Sequence, residues 1–306
     1  MILSYFMMEQ ALRLVQEHPD YRVLQRVPTT YNERKSTRPQ VFYATVLDLE
    51  TMGMNAPTDE IIELGMLTFA FTNEEGILSV IDCYNELNDP GRPIPAEITK
   101  ITGISDTDVS GKHIDWVHVS AILSKTHLII CHNSGFDRNF LELQTPEDIA
   151  TIVTKLPFAC TLKDIDWKER GIESSKLDYI NWKLGYFYEG HRAINDCWAL
   201  FNALIHAEGS FEELKSNVRK KELLICAVNA PFDKKELLKN RQYRWSDGTE
   251  QLPKCWWLCV SQEEVDQEQS WLAEEIFGQM TIVDKLPTKE INARIRYSFR
   301  AYCMDI

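Results

Sequence analysis

The run VFYATVLDLET, beginning at Val41, is apolar on both faces of an extended chain yet carries two carboxylates, Asp48 and Glu50. A strand apolar on both faces has to be buried on both, which requires helices above and below it and so a layered α/β fold. Side chains alternate with a period of two, so Asp48 and Glu50 emerge on the same side of the sheet. Burying two like charges there is costly unless a cation pairs with them; the plain alternative is that both acids lie past the strand end in solvent.

The order of elements narrows the fold further. EIIELGMLTFAF and ILSVIDCYNEL follow as strands separated by the turn TNEEG, forming a meander. The loop-rich NDPGRPIPAEITKITGISDTDVSGK has one short helix expected at Ala96 to Thr102. After it the pattern changes to alternating strand and helix: a helix near Val117 to Ser124, the strand HLIICHN, a helix from FDRNFLEL, then helices at Leu177 to Lys183 and Ala193 to Ala207. The expectation is a mixed sheet flanked by helices over residues 41–209. Upstream, residues 1–40 read as a helix and a linker. Apolar positions at Leu3, Phe6, Met7, Ala11, Leu14 and Val15 predict an amphipathic helix that packs on something, ended by Pro19, and TTYNERKSTRP is polar. After Gly209 the composition shifts, and residues 210–306 read as a second, smaller α/β domain holding half of the eight tryptophans.

Composition bounds the function. A chain of 306 residues exceeds the usual size of one domain, and its formal charge of −13 argues against bulk attraction to nucleic acid or an anionic membrane. Bound divalent cations would restore local attraction for phosphate. With no long apolar run and no basic leader before a cleavage site, the chain is expected to be cytoplasmic and without a membrane partner. The eight cysteines are scattered without a C-x-x-C pair and read as reduced core residues, although Cys255 and Cys259 are spaced like half of a zinc site.

Two further acids join the first pair. In CHNSGFD, Asp137 stands just beyond the C-terminal end of a second buried strand, the edge at which sites form in open α/β sheets. In HRAINDCWAL, Asp196 opens a helix five residues after His191. An acid near a helix N-terminus suits the macrodipole in any protein, but four carboxylates, each at the end of an element, also suit two Mg²⁺ or Mn²⁺ ions, which prefer oxygen ligands.

VLDLET, IIELG, HNSGFDRNFL and GHRAINDCWAL occur in that order over residues 41–205, and together they resemble the motifs of the DEDDh exonuclease superfamily, which includes the proofreading epsilon subunit of bacterial DNA polymerase III, RNase T and oligoribonuclease. Arg192 stands where the related DEDDy group has tyrosine. The resemblance implies a ribonuclease H-like fold and a hydrolase in which Asp48, Glu50, Asp137 and Asp196 hold two ions and His191 is the general base. Two ions about 3.5–4 Å apart suit in-line phosphoryl displacement. It also implies 3′–5′ release of nucleoside 5′-monophosphates from a single-stranded end, DNA before RNA. An RNA-trimming enzyme is the alternative within the class, and a non-catalytic nucleic-acid or protein-binding subunit is the alternative outside it. Thr51, Met52, His132 and Phe136 are weaker candidates for substrate contact; Thr51 and Met52 could equally shape a turn, and Phe136 reads first as core. Proofreading relatives work beside a polymerase and RNase T-like ones as dimers, which leaves a polymerase or other protein partner and the oligomeric state open. In the C-terminal region, Lys234, Lys235, Lys239, Arg241 and Arg244, interleaved with Tyr243 and Trp245, read either as a nucleic-acid platform or as the solvated face of a small structural domain, and Gln242 stands where a similar module has glycine.

Overall fold

The computed structural model describes residues 2–249 and 251–304. Helix α1 (Ile2–Glu17) forms and ends two residues before Pro19. Its expected packing does not: Met7 and Leu14 are 65% and 70% exposed, and Met8, Leu12 and Val15 also face solvent. The side chains of Leu3 and Phe6 lie outside the described residues. The segment after it is more than a linker. Two residues, β1 (Gln25–Arg26), pair with a short strand near the active site, Val27 is buried, the Tyr31 ring stands edge-on to Phe201 at 5.3 Å, and Arg34 bonds the backbone of Ile77 and Leu78.

The main sheet begins with β2 (Phe42–Thr51), β3 (Ile61–Thr72) and β4 (Gly76–Leu87), an antiparallel meander as the sequence predicts. Helices α2 (Ala96–Thr102), α3 (Asp106–Val109) and α4 (Trp116–Leu123) lead to β5 (Leu128–Cys131), which lies parallel to β2. Helices α5 (Ser134–Gln144) and α6 (Glu147–Lys155) precede β6 (Phe158–Cys160), a fifth strand that completes the order β4-β3-β2-β5-β6. Three residues are too few to show a period, so the sequence carries no legible sign of β6.

Alternation along β2 divides the sheet into two cores. Ala44 and Val46 face one side, with Leu67, Phe69 and helix α8 (Ala193–His206); Leu47 and Leu49 face the other, with Leu64, Phe140, Ile149 and Val153. Asp48 and Glu50 continue the parity of Val46, and both acids are therefore delivered to the α8 side. Helix α7 (Leu177–Lys183) and the two-residue β7 (Tyr186–Phe187), partner of β1, lead into α8.

Residues 210–219, expected to belong to the C-terminal domain, form helix α9 (Ser210–Arg219), which instead buries Phe211 and Leu214 in the first core. The change of packing therefore falls some ten residues later than the change of composition. Beyond it, β8 (Glu222–Val228), α10 (Lys235–Asn240), β9 (Arg244–Ser246), β10 (Cys255–Ser261), α11 (Val265–Trp271), α12 (Met280–Val283) and β11 (Thr288–Ile291) build an antiparallel sheet ordered β11-β8-β10-β9. Its helices cover one face. The last residues run back onto the first domain: the buried Arg138 guanidinium donates to the carbonyls of Ala293 (3.0 Å), Arg296 (2.9 Å) and Arg294, and the Phe158 amide donates to Ala293. Glu142, on α5, accepts from Arg138 and from Arg300 (2.8 Å each) and from Ser298. The helix that carries Asp137 is thus held by the end of the chain. No described helix is long and apolar enough to cross a membrane.

Candidate active site

Asp48, Glu50 and Asp196 each offer a carboxylate oxygen lying within 4.8 Å of the other two, the one such cluster of potential metal ligands among the described residues. Two of the three share a strand face, and the third comes from the first turn of α8, which packs on that face. A register shift between Glu50 and Thr51 interrupts the ladder here, before the last pair, Thr51 with Ile61. Asp137 does not join the trio at that distance. It sits in the first turn of α5, 2% exposed, and its Oδ1 has no hydrogen-bond partner.

Burial and mutual repulsion raise the acids of the site together. Burial, then repulsion from Asp196 and Glu63, pushes the Glu50 carboxyl up to about 8. Burial also pushes Asp137 to about 8 and raises Asp48 well above the usual carboxylate range, the latter with help from Asp196, Asp137 and Glu50. Asp196 is raised by burial as well, against the hydrogen bond from Tyr188 and the positive potential of His191. Three acids in one place, with a fourth, Asp137, behind them that carries an orphaned buried oxygen, fit hard divalent cations, whose charge would let all four ionise. The cysteines play no part: all eight are free, and neither Cys255 nor Cys259 belongs to a ligand cluster among the described residues.

His191 precedes α8 in an exposed segment, at φ +61°, a left-handed backbone that costs a non-glycine residue about 1–2 kcal/mol and that accumulates at functional sites. It lines a cleft of about 630 Å³ together with His132, Ser175, Lys176, Tyr188 and Asp196. Tyr188 donates to Asp196 Oδ1 at 3.1 Å, and the Arg192 amide lies 3.3 Å from Oδ2.

The weaker candidates have structural duties. Thr51 is buried and its hydroxyl donates to the Gly53 carbonyl at 2.5 Å; Met52 is buried in a small apolar cluster with Ile62 and Ile104. Neither lines the cleft. His132 does, but both ring nitrogens are engaged, with the Thr161 hydroxyl and the Ser175 carbonyl at 2.8 Å each, and burial lowers it to about 4. Held neutral, it ties two loops together. Phe136 packs on Phe140, ring centres 4.7 Å apart, at the edge of the second core.

Three positioning residues escape a reading by sequence. Glu63 is fully buried; it accepts from Arg192 Nη2 (2.9 Å) and Nε, from Asn85 (3.0 Å) and from the Ala193 amide (3.0 Å), so a carboxylate from β3 caps the helix that carries Asp196. Gly65 lets that helix approach, since a Cβ there would lie 2.6 Å from the Ala193 carbonyl carbon. Tyr188 is the third. The one available signal was IIELG itself, where an acid and a glycine interrupt an otherwise apolar strand.

The sequence model of the RNase T family, described as exonuclease, matches residues 45–204. The chain is similar to the PolC-type DNA polymerase III of Clostridium perfringens, 26% identical over 180 residues, which cover 56% of this chain and 11% of the polymerase. The PolC-type polymerase of Thermotoga petrophila is 30% identical over 154 residues, 49% of this chain and 11% of its own. The match thus spans about a tenth of the length of these relatives. Among solved structures, exonuclease X in complex with 5′ overhanging duplex DNA is similar at 18% identity and a TM-score of 0.36, covering 57% of this chain and 98% of that one. Escherichia coli exonuclease I in complex with an oligonucleotide is similar at 13% identity and a TM-score of 0.45, covering 72% and 64%.

Proposed function

Because the chain belongs to the RNase T exonuclease family within the DEDDh superfamily, we propose that it is a metal-dependent exonuclease that shortens single-stranded DNA from its 3′ end and releases nucleoside 5′-monophosphates. The observation that carries this reading is the convergence of Asp48, Glu50 and Asp196 within 4.8 Å beside the loop that presents His191.

Asp48, Glu50 and Asp196, with Asp137 behind them, would hold two divalent ions of the Mg²⁺ or Mn²⁺ class. Such ions, when bound, supply Lewis acidity and charge neutralisation at the phosphate. The remaining work falls to the chain. His191, exposed at the mouth of the cleft, takes the proton of the attacking water. Tyr188 holds Asp196 in one orientation through its hydroxyl, and Glu63 with Arg192 fixes the start of α8 so that Asp196 and His191 keep their spacing. An acidic site that must receive a free end suits an unpaired strand better than the interior of a duplex.

Product analysis on 5′-labelled single-stranded DNA with Mg²⁺ or Mn²⁺ tests the proposal. Stepwise shortening from the 3′ end, with mononucleotides as product, is expected. Intact DNA in both metals, or products cut internally, would refute it.

A further inference from the structure

The catalytic cleft does not end at His191. Leu162 and Ser175, which line it, also line a second hollow of about 540 Å³, and Lys163 and Asp164 of that hollow line a third, of about 500 Å³, between the two domains. The three adjoin through these shared residues, a depression that leads from Asp196 and His191 to Arg244 and Trp257 on the C-terminal sheet. At the far end Arg244 on β9 and Trp257 on β10 are register partners, with the guanidinium 5.4 Å from the indole ring; Tyr302 stands edge-on to that ring at 5.3 Å, and Lys163 lies over the Tyr297 ring at 5.5 Å.

Charge along this depression is sorted. Asp164 accepts from the Cys160 amide and the Tyr297 hydroxyl, Asp166 from the Lys168 and Glu169 amides, Glu173 pairs with Lys183, Glu213 with Arg170, and Glu222 with Arg296. Lys163, Lys168, Lys176 and Arg244 have no carboxylate within 4.0 Å among the described residues. Cations without carboxylate partners, spaced along a groove that ends at half-buried aromatic rings, are what a strand of phosphates and bases requires. Two other cations of the same region are engaged elsewhere. Arg241 pairs with Glu268 at 2.8 Å over the Trp271 ring, Tyr243 is buried with its hydroxyl on Glu268, and Lys239 pairs with Glu236. Of the helix-face platform suggested by the sequence, Arg241, Tyr243 and Lys239 are thus engaged with Glu268 and Glu236, Lys235 lies over the Phe232 ring, and Arg244 alone of its cations lines the depression.

We propose that this depression is the track of the single strand behind its 3′ end, and that Lys163, Arg244 and Trp257 hold nucleotides upstream of the one being removed. The proposal rests on the exonuclease reading and adds a function for the C-terminal domain.

Fluorescence anisotropy on the full chain tests it, with labelled dT4 and dT20 carrying phosphorothioate 3′ linkages that block turnover. Lys163 and Arg244 are both exposed, so the Lys163→Ala/Arg244→Ala protein keeps its fold. Wild type should bind dT20 more tightly than dT4. The double variant should lose roughly tenfold on dT20, and its dependence of log Kd on log salt should flatten by about 1.4, the expected loss for two phosphate contacts on a single strand. An unchanged affinity and slope, or a wild type indifferent to strand length, would overturn the track. Unmodified dT20 separates the two ideas: if wild type shortens it while the slopes agree, the track alone is wrong, whereas failure to shorten it removes the exonuclease reading and the track with it.

Discussion

Asp48→Asn should make the metal-free protein more stable while destroying its activity. Asp48 is raised well above the usual carboxylate range by burial and by Asp196, Asp137 and Glu50. A carboxyl whose folded pKa is raised contributes stability that is fully present below its unfolded value and is lost as pH rises through the folded one. Glu50 and Asp137, at about 8, place that loss between roughly pH 4 and 8 for their part of the cluster. Asparagine keeps the volume, carries no charge and cannot titrate, and its amide can donate to the neighbouring acids. Taking one acid out of this repelling buried cluster, in which Glu50 and Asp137 ionise at about 8, is set at about 2 kcal/mol, within the about 1–4 kcal/mol gained when buried ionic groups give way to neutral ones; at about 2–4 °C per kcal/mol for a chain above 150 residues, Tm at pH 8 in EDTA should rise by about 4–8 °C. At pH 4, well below the values of Glu50 and Asp137, the difference should shrink. Adding Mn²⁺ at about 100 times its Kd should stabilise wild type by about 2.7 kcal/mol and the variant by much less. Scanning calorimetry at the two pH values, with and without Mn²⁺, reads all three effects. A variant less stable than wild type at pH 8 without metal, or one that retains near-normal turnover, would refute the reasoning.

Other perturbations test separate parts of the site. His191→Ala should lower the rate by roughly 10²–10⁴, with part of the loss recovered at higher pH where hydroxide replaces the missing base; an unchanged rate removes His191 from the mechanism. Gly65→Ala forces a Cβ against the Ala193 backbone and should cost about 1–3 kcal/mol of stability. By shifting Asp196 it should also slow hydrolysis by roughly 10- to 100-fold; a wild-type rate would show that α8 tolerates the displacement. Gln242 has φ +67°, a left-handed backbone that favours glycine. Gln242→Gly should therefore stabilise the C-terminal domain by about 0.5–1 kcal/mol in urea titrations, and a loss of stability would contradict the strain.

Local pattern was enough to read the meander, the helix at Leu177–Lys183, a helix over Ala193–Ala207 that ends one residue earlier, and the side of the sheet to which Asp48 and Glu50 point, because period is a property of neighbouring residues. Resemblance to a family singled out His191 and the four acids by position. What the tertiary structure decided is how these groups stand to one another. Asp48, Glu50 and Asp196 meet while Asp137 stays a step behind, because α8 packs on the face shared by the first two and α5 on the other. Glu63 looks like an error in a buried strand until Arg192 and the Ala193 amide arrive from 130 residues away. The change of composition after Gly209 misplaces α9, since amphipathic periodicity marks an apolar face without naming the core that will receive it. The same limit hid the docking of residues 293–300 on α5, where one buried arginine bonds three carbonyls of a segment more than 150 residues distant. Periodicity tells a side chain which way to face. Only the register of strands and the packing of helices across long separations determines what it meets there.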